Sequence, residues 1–263
     1  MRKHGGFSLL ELIGVMAVMA ILSSVLAPSI VSTVDDAYAR AEQDNLAMLA
    51  NGLREHIVRT RSIPSTNSAV WSTALASDTD FAASQVLSNR RNRQRVLVAD
   101  PRFFTSSDSA FGGYTQTTGL GVAPVSPRLL LISNLKGNVP SMSNTAATFN
   151  AVWNGDAGAV VVAGDNLKIE RINLTNVFRH VLLTNSSPSQ SAYALDTNTI
   201  MPVPAAVAST DGVTSVYVID GTQMSLYAAT YPAGALTNTV LVQRDFNHAY
   251  QTDNGSDWYW SAP

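Results

Sequence analysis

The residues of this chain best placed to do chemistry lie within its first 28: the Gly6–Phe7 peptide bond and the carboxylate of Glu11, four positions beyond it. From Phe7 to Ala27 run 21 residues, all apolar or small except Glu11. At about 1.5 Å per residue, a helix of that length spans the roughly 30 Å hydrocarbon core of a bilayer. A charged side chain inside that core costs on the order of 2.5 kcal/mol or more, so Glu11 requires an interface, a proton or a partner. Cleavage after Gly6 would create a partner, because the new α-amine of Phe7 has a reference pKa of roughly 7.7 to 8.0 and is largely cationic near neutrality. Within one helix the two groups need not meet well. Glu11 of one copy could instead meet the Phe7 amine of a neighbour, and one contact would then remove two uncompensated charges from lipid.

The elements that must hold these groups follow from the pattern. Arg2, Lys3 and His4 precede the apolar run and no basic residue returns until Arg40, which places the N-terminus in the cytoplasm and the rest outside it. Beyond Pro28, the residues Ile30, Val34, Ala37, Tyr38, Ala41, Leu46, Leu49, Leu53 and Ile57 recur at three- and four-residue spacing with charges between them. This predicts that an amphipathic helix continues over 29–62, packs a globular head, and stops before Pro64. The chain then divides into a leader (1–6), a membrane or assembly helix (7–28), its amphipathic continuation (29–62) and a β-rich head (63–263).

Within the head, short runs rich in Val, Ile, Leu, Tyr and Thr predict strands at 95–99, 128–132, 151–154, 159–164, 167–173, 177–183, 191–195, 213–220, 224–228 and 239–246. Asp220-Gly221 between two of them predicts a hairpin, and so does Gly164-Asp165-Asn166 between another two. Residues 69–76 and 80–87 read as short helices or irregular chain. Residues 141–148 and 184–190, rich in Ser, Thr and Asn, read as exposed loops. A long helix on an antiparallel sheet is an α+β arrangement.

Gly6-Phe7-Ser8-Leu9-Leu10-Glu11-Leu12, a hydrophobic stretch and then Pro28 resemble the N-terminal signal of type IV pilins and type II secretion pseudopilins. The resemblance covers about 30 residues. It implies a pilin-like fold, cleavage between Gly6 and Phe7 by a prepilin peptidase of the inner membrane, and N-methylation of Phe7. It also implies a role for Glu11 in methylation or in staggering subunits, and a helix that kinks or locally melts at Pro28. The implied partners are the peptidase, other pilin or pseudopilin subunits in a homo- or hetero-polymer, and an inner-membrane assembly platform. An ordinary secretory signal fits less well, since Pro28 follows Val25-Leu26-Ala27 and Glu11 interrupts the apolar run. An uncleaved anchor explains the length but not Gly-Gly-Phe with Glu11 beyond it.

Composition narrows the role. The chain has no cysteine, so the C-terminal disulfide loop of many pilins is excluded, which tilts the resemblance toward a minor pilin or pseudopilin. A net charge of -2 gives no footprint for nucleic acid. Arg90, Arg91, Arg93 and Arg95 form a basic cluster, but no aromatics alternate with them, so a solvated loop or salt-bridge partners are expected rather than DNA contact. His4, His56, His180 and His248 lack a second ligand at metal spacing. No nucleophile elbow or phosphate loop is present, so catalysis and a cofactor are not expected. Asp253 and Asp257 bracket an oxygen-rich turn that is a candidate calcium loop, with a solvated turn as the plainer reading. Trp258-Tyr259-Trp260 could serve a sugar or protein contact, or simply cover a sheet edge. The competing function class is a membrane-anchored binding module for a secreted substrate, sugar or DNA, in which the helix is only a tether.

Overall fold

The structure is a computed structural model that describes residues 9–102, 113–115, 126–143, 145–155, 166–196, 199–203, 205–207, 210–227, 236–244, 248–253 and 257–261. Its architecture is α+β, a long helix carrying a head of mixed sheets. Helix α1 (Leu9–Thr60) takes the apolar and amphipathic segments in one piece of 52 residues. It ends at Thr60, short of the expected Ser62, because Arg61 adopts φ 54°, in the left-handed region. That turn is fixed from outside the helix: Arg61 Nη1 donates to Thr222 Oγ1 at 3.1 Å and to the Asp220 carbonyl at 3.3 Å.

The seat on the head begins later than the spacing predicts. Asp35 is the first half-buried residue of α1 and Glu42 the first buried one, while Ile30, Val34 and Ala37 stay exposed. The buried stripe is Leu46, Leu49, Ala50, Leu53 and Ile57. It meets Trp71 and Leu75 of α2 (Ser68–Ala76), Val86 of α3 (Ala83–Leu87), and the strands β1 (Val96–Ala99), β3 (Arg128–Asn134) and β4 (Leu167–Asn173). Gly52 is what lets α2 close on α1, since a Cβ there would lie 3.2 Å from both Leu75 Cδ1 and Thr79 Cγ2.

The sheet β1-β3-β4 is antiparallel and apolar on both faces. Leu97, Leu129, Leu131 and Ile172 face α1, while Leu130 and Ile132 pack on Phe149 and Val152 of α4 (Ala146–Asn154). Helix α4 corrects two expectations, the strand at 151–154 and the loop at 141–148. Its ends carry ordinary helix signals that a Ser/Thr/Asn-rich context disguises. Thr145 Oγ1 accepts from the Thr148 N–H at 3.2 Å, and Gly155 leaves the helix at φ 87°.

A five-stranded sheet, β12-β11-β5-β8-β2, lies between two cores. Its strands are β2 (Gly113–Thr115), β5 (Phe178–Asn185), β8 (Gly212–Ile219), β11 (His248–Asp253) and β12 (Asp257–Trp260). Phe178, Tyr217 and Ile219 point into the core beneath α1, while Val181, Val216 and Val218 point into a second core. The second core is closed by β10-β9-β6-β7, that is β6 (Ala192–Asp196), β7 (Thr199–Val203), β9 (Gln223–Tyr227) and β10 (Leu236–Leu241).

Two features depart from a simple antiparallel head. Strands β5 and β11 pair in parallel. The turn at Asp220-Gly221 forms, with Gly221 at φ 78° and the Thr222 N–H donating to the Ile219 carbonyl at 3.0 Å, but no hairpin follows it. Strand β8 has both edges taken by β5 and β2, so β9 crosses to the facing sheet, where Met224 and Leu226 fill the second core. Residues 184–190 are also not an exposed loop throughout. Asn185 is fully buried, its Nδ2 donating to the Gln190 carbonyl at 2.8 Å, and Ser187 is buried beside it. The strand predicted at 159–164 and the turn at 164–165 lie outside the described residues.

Candidate functional site

The leader, Gly6 and Phe7 lie outside the described residues; Glu11 stands in the first turn of α1 and is exposed. Every large apolar side chain described from Leu12 to Val31 is at least 48 % exposed. An uninterrupted apolar helix with no covering face needs lipid or other helices around it. By length and composition α1 suffices to cross a membrane.

Helix α1 stays helical through Pro28. Proline removes one backbone donor from the ladder, and nearby hydroxyls bind carbonyls of the same stretch: Ser24 to Ile21 at 2.7 Å, Ser29 to Leu26 at 2.9 Å, and Thr33 to Ser29 at 2.8 Å.

Four polar contacts lock the distal half of α1 to the head. Glu42 and Arg95 form a two-point pair, Nε–Oε1 2.6 Å and Nη2–Oε2 2.8 Å, with side chains only 2 % and 3 % exposed. Asp35 pairs with Arg91, whose guanidinium also sits 4.8 Å over the Tyr38 ring, and Lys136 Nζ lies 4.0 Å from Asp35. The Arg91 hydrogen bond holds the Asp35 carboxyl below its ordinary value. Gln43 Nε2 donates to Glu170 at 3.2 Å. Near the end of α1, Asp78 takes both His56 Nδ1 and the Arg59 guanidinium.

The arginine cluster is therefore divided. Arg91 and Arg95 turn back onto α1, and Arg90 and Arg93 remain exposed. Charge alone shows the basic run; its acidic partners lie 53 and 56 positions away in the chain, which no local pattern reveals.

At the other end of the head, Asp253 and Asp257 are register partners across the β11–β12 hairpin, and residues 254–256 between them lie outside the described residues. Strand β12 covers the edge of β11. Trp258 is buried in the second core, while Tyr259 and Trp260 are 43 % and 49 % exposed.

Two buried histidines give the head a pH dependence. Burial pushes His56 and His248 below the ordinary histidine value, and at His56 the charge of Arg59 adds to it. His248 Nε2 lies 2.8 Å from the Gln243 backbone nitrogen and 3.1 Å from its carbonyl oxygen; the carbonyl favours the protonated ring, and burial outweighs it. A group whose folded pKa lies below its unfolded one binds its proton more readily in the unfolded chain. Stability is then complete above the ordinary histidine pKa, about 6.5, and is lost as pH falls through it. Thermal unfolding in detergent is expected to give a lower Tm at pH 5.5 than at pH 7.5, and a His56→Gln/His248→Gln double variant should flatten that slope. A wild-type Tm that holds or rises on acidification contradicts this.

Comparison with known proteins bears on the N-terminal segment alone. Residues 1–27 match the family model described as the prokaryotic N-terminal methylation motif. No curated protein and no solved structure matches the chain. With Gly6-Phe7 and Glu11 inside the matched residues and an uncovered apolar helix behind them, the chain carries the prepilin-type signal of type IV pilins and pseudopilins.

Proposed function

We propose that this chain is a structural subunit, a minor pilin or pseudopilin, of a type II secretion pseudopilus or a type IV pilus. A prepilin peptidase cuts after Gly6 and methylates the amine of Phe7. The inner membrane holds residues 7–28 with the N-terminus cytoplasmic and the head in the periplasm. The assembly platform then draws the chain into a homo- or hetero-polymer, in which Glu11 meets the Phe7 amine of a neighbour and Pro28 marks the point where the helix can yield.

The observation that carries this reading is the methylation motif over residues 1–27, whose apolar part is the start of a helix of 52 residues. The uncovered near half of that helix is suited to lipid and then to other helices. The far half is pinned to the head by Glu42–Arg95, so a pull on the helix moves the whole subunit.

Mass spectrometry of the mature N-terminus tests it, in strains with and without the prepilin peptidase. The expected product begins at N-methylated Phe7 only where the peptidase is present. A mature chain that still begins at Met1 in both strains overturns the proposal.

A further inference from the structure

Beside α1, level with Asn45 to Leu49, lies a cavity of about 380 Å³ between the helix and the turn that follows α3. Its walls include the apolar side chains of Met48, Leu49 and Phe81, with Asn45, Asn92 and Arg90 among the polar ones. No carboxylate lines it, whereas Arg90 and Arg95 do.

The turn is held in place by Asn89, which is 5 % exposed. Its Oδ1 accepts from the backbone N–H groups of Arg91 and Arg93 at 3.0 and 2.9 Å, and its Nδ2 donates to Ser133 Oγ and the Asn134 carbonyl, each at 3.0 Å. Arg91 and Arg95 are occupied by Asp35 and Glu42. Arg90 is exposed at the cavity with no ion pair among the described residues. An exposed guanidinium on a held turn, flanked by amides over an apolar wall, suits a carboxylate carried on an apolar surface.

Helix α1 supplies such a carboxylate. Asp44 is exposed and has no ion pair among the described residues. We propose that the cavity receives Asp44 of a second copy of this chain, with Arg90 as its counter-ion. The inference rests on the polymer reading above, which fixes the axial offset between parallel helices. When the Phe7 amine of one copy meets Glu11 of another, the first is displaced by four residues, about 6 Å at the helical rise. The cavity of the copy that supplies Glu11, level with residues 45–49 of its own helix, then stands level with residues 41–45 of the copy that supplies Phe7, and Asp44 falls within that span. Asp36 and Glu55 of the neighbour fall about 10 Å or more away along the axis.

The chain has no cysteine, so introduced thiols report this contact without background. Two differently tagged full-length copies, one Asp44→Cys and one Arg90→Cys, are co-expressed with the assembly machinery, oxidised, sheared and run without reductant. The expected result is a mixed dimer from sheared filaments, absent when Glu55→Cys replaces Asp44→Cys. In parallel, Arg90→Asp should lower filament yield about fivefold, the scale of a partly exposed ion pair, and Asp44→Arg in the same chain should restore it. Filaments that form normally yet give no mixed dimer overturn this contact and leave the polymer reading standing. If the wild-type chain enters no filament, both fall together.

Discussion

Replacing Glu11 with glutamine is expected to abolish filament formation while the chain still reaches the membrane and its head still folds. Glu11 is exposed on a stretch of α1 whose neighbouring apolar residues are uncovered, more than twenty positions before the helix first touches the head. Its removal therefore cannot disturb the packed core. A carboxylate in the bilayer costs on the order of 2.5 kcal/mol, and an intermolecular pair with the Phe7 amine adds an attraction that the polymer alone supplies. Glutamine removes the penalty from the free subunit and the attraction from the assembled one, so both changes favour the monomer. At about 1.4 kcal/mol per factor of ten, 2.5 kcal/mol corresponds to roughly sixtyfold at each contact, and the loss repeats along the filament. The measurement is the sheared-fibre fraction, with membrane fractionation and the thermal transition of the head as controls. A variant that polymerises within a factor of two of wild type would mean that the helix assembles by apolar packing alone, and the tether reading would gain at its expense.

What the sequence discloses and what it hides divide along the range of the interactions. The signal and the long helix are local: Gly6-Phe7, Glu11 and the three- and four-residue spacing through Ile57 are legible without any tertiary knowledge. The strand at 167–173 is legible for the same reason, since apolar β-formers run between turn residues, and so is the one read at 128–132, which continues to Asn134. Failures begin where a local pattern is satisfied in more than one way. Asp220-Gly221 specifies a tight turn, but whether the next strand pairs back or crosses depends on β5 and β2 already occupying the edges of β8. The stripe of Ile30, Val34 and Ala37 has the right period for packing on the head, yet the head does not reach it, so periodicity reports an apolar face and not its partner. Helix α4 is hidden by residues that favour loops in general and favour a helix start only at one position, Thr145. The arginine run shows charge but not where that charge is spent.

The second large effect is expected at Glu42 and Arg95, the pair that joins the spine to the head. Glu42→Gln should destabilise the head by about 3–5 kcal/mol, the cost of leaving a buried charge without its counter-ion. For a folded unit of this size that lowers the Tm by about 6–20 °C. The size of the loss follows from how completely Arg95 is paired. Besides its two bonds to Glu42, Arg95 Nη1 donates to the carbonyls of Gln85, Val86 and Ser88 at 2.6, 2.9 and 2.9 Å, so the guanidinium also closes the C-terminal end of α3. Arg95→Lys should therefore be nearly as harmful as Glu42→Gln, because an ammonium cannot hold the carboxylate at two points and reach three carbonyls. A Glu42→Leu/Arg95→Met double variant removes both charges yet recovers only part of the loss, since the three carbonyls are left without a donor. Thermal unfolding of the full chain in detergent, followed through the fluorescence of buried Trp71, reads all three variants. If the double variant returned to wild-type stability, Arg95 would matter only as a counter-ion and its hold on α3 would be incidental. If Glu42→Gln left the Tm unchanged, α1 would be held to the head by its apolar stripe alone, and the transmission of an assembly pull from helix to head would pass through Leu46, Leu49, Leu53 and Ile57 instead.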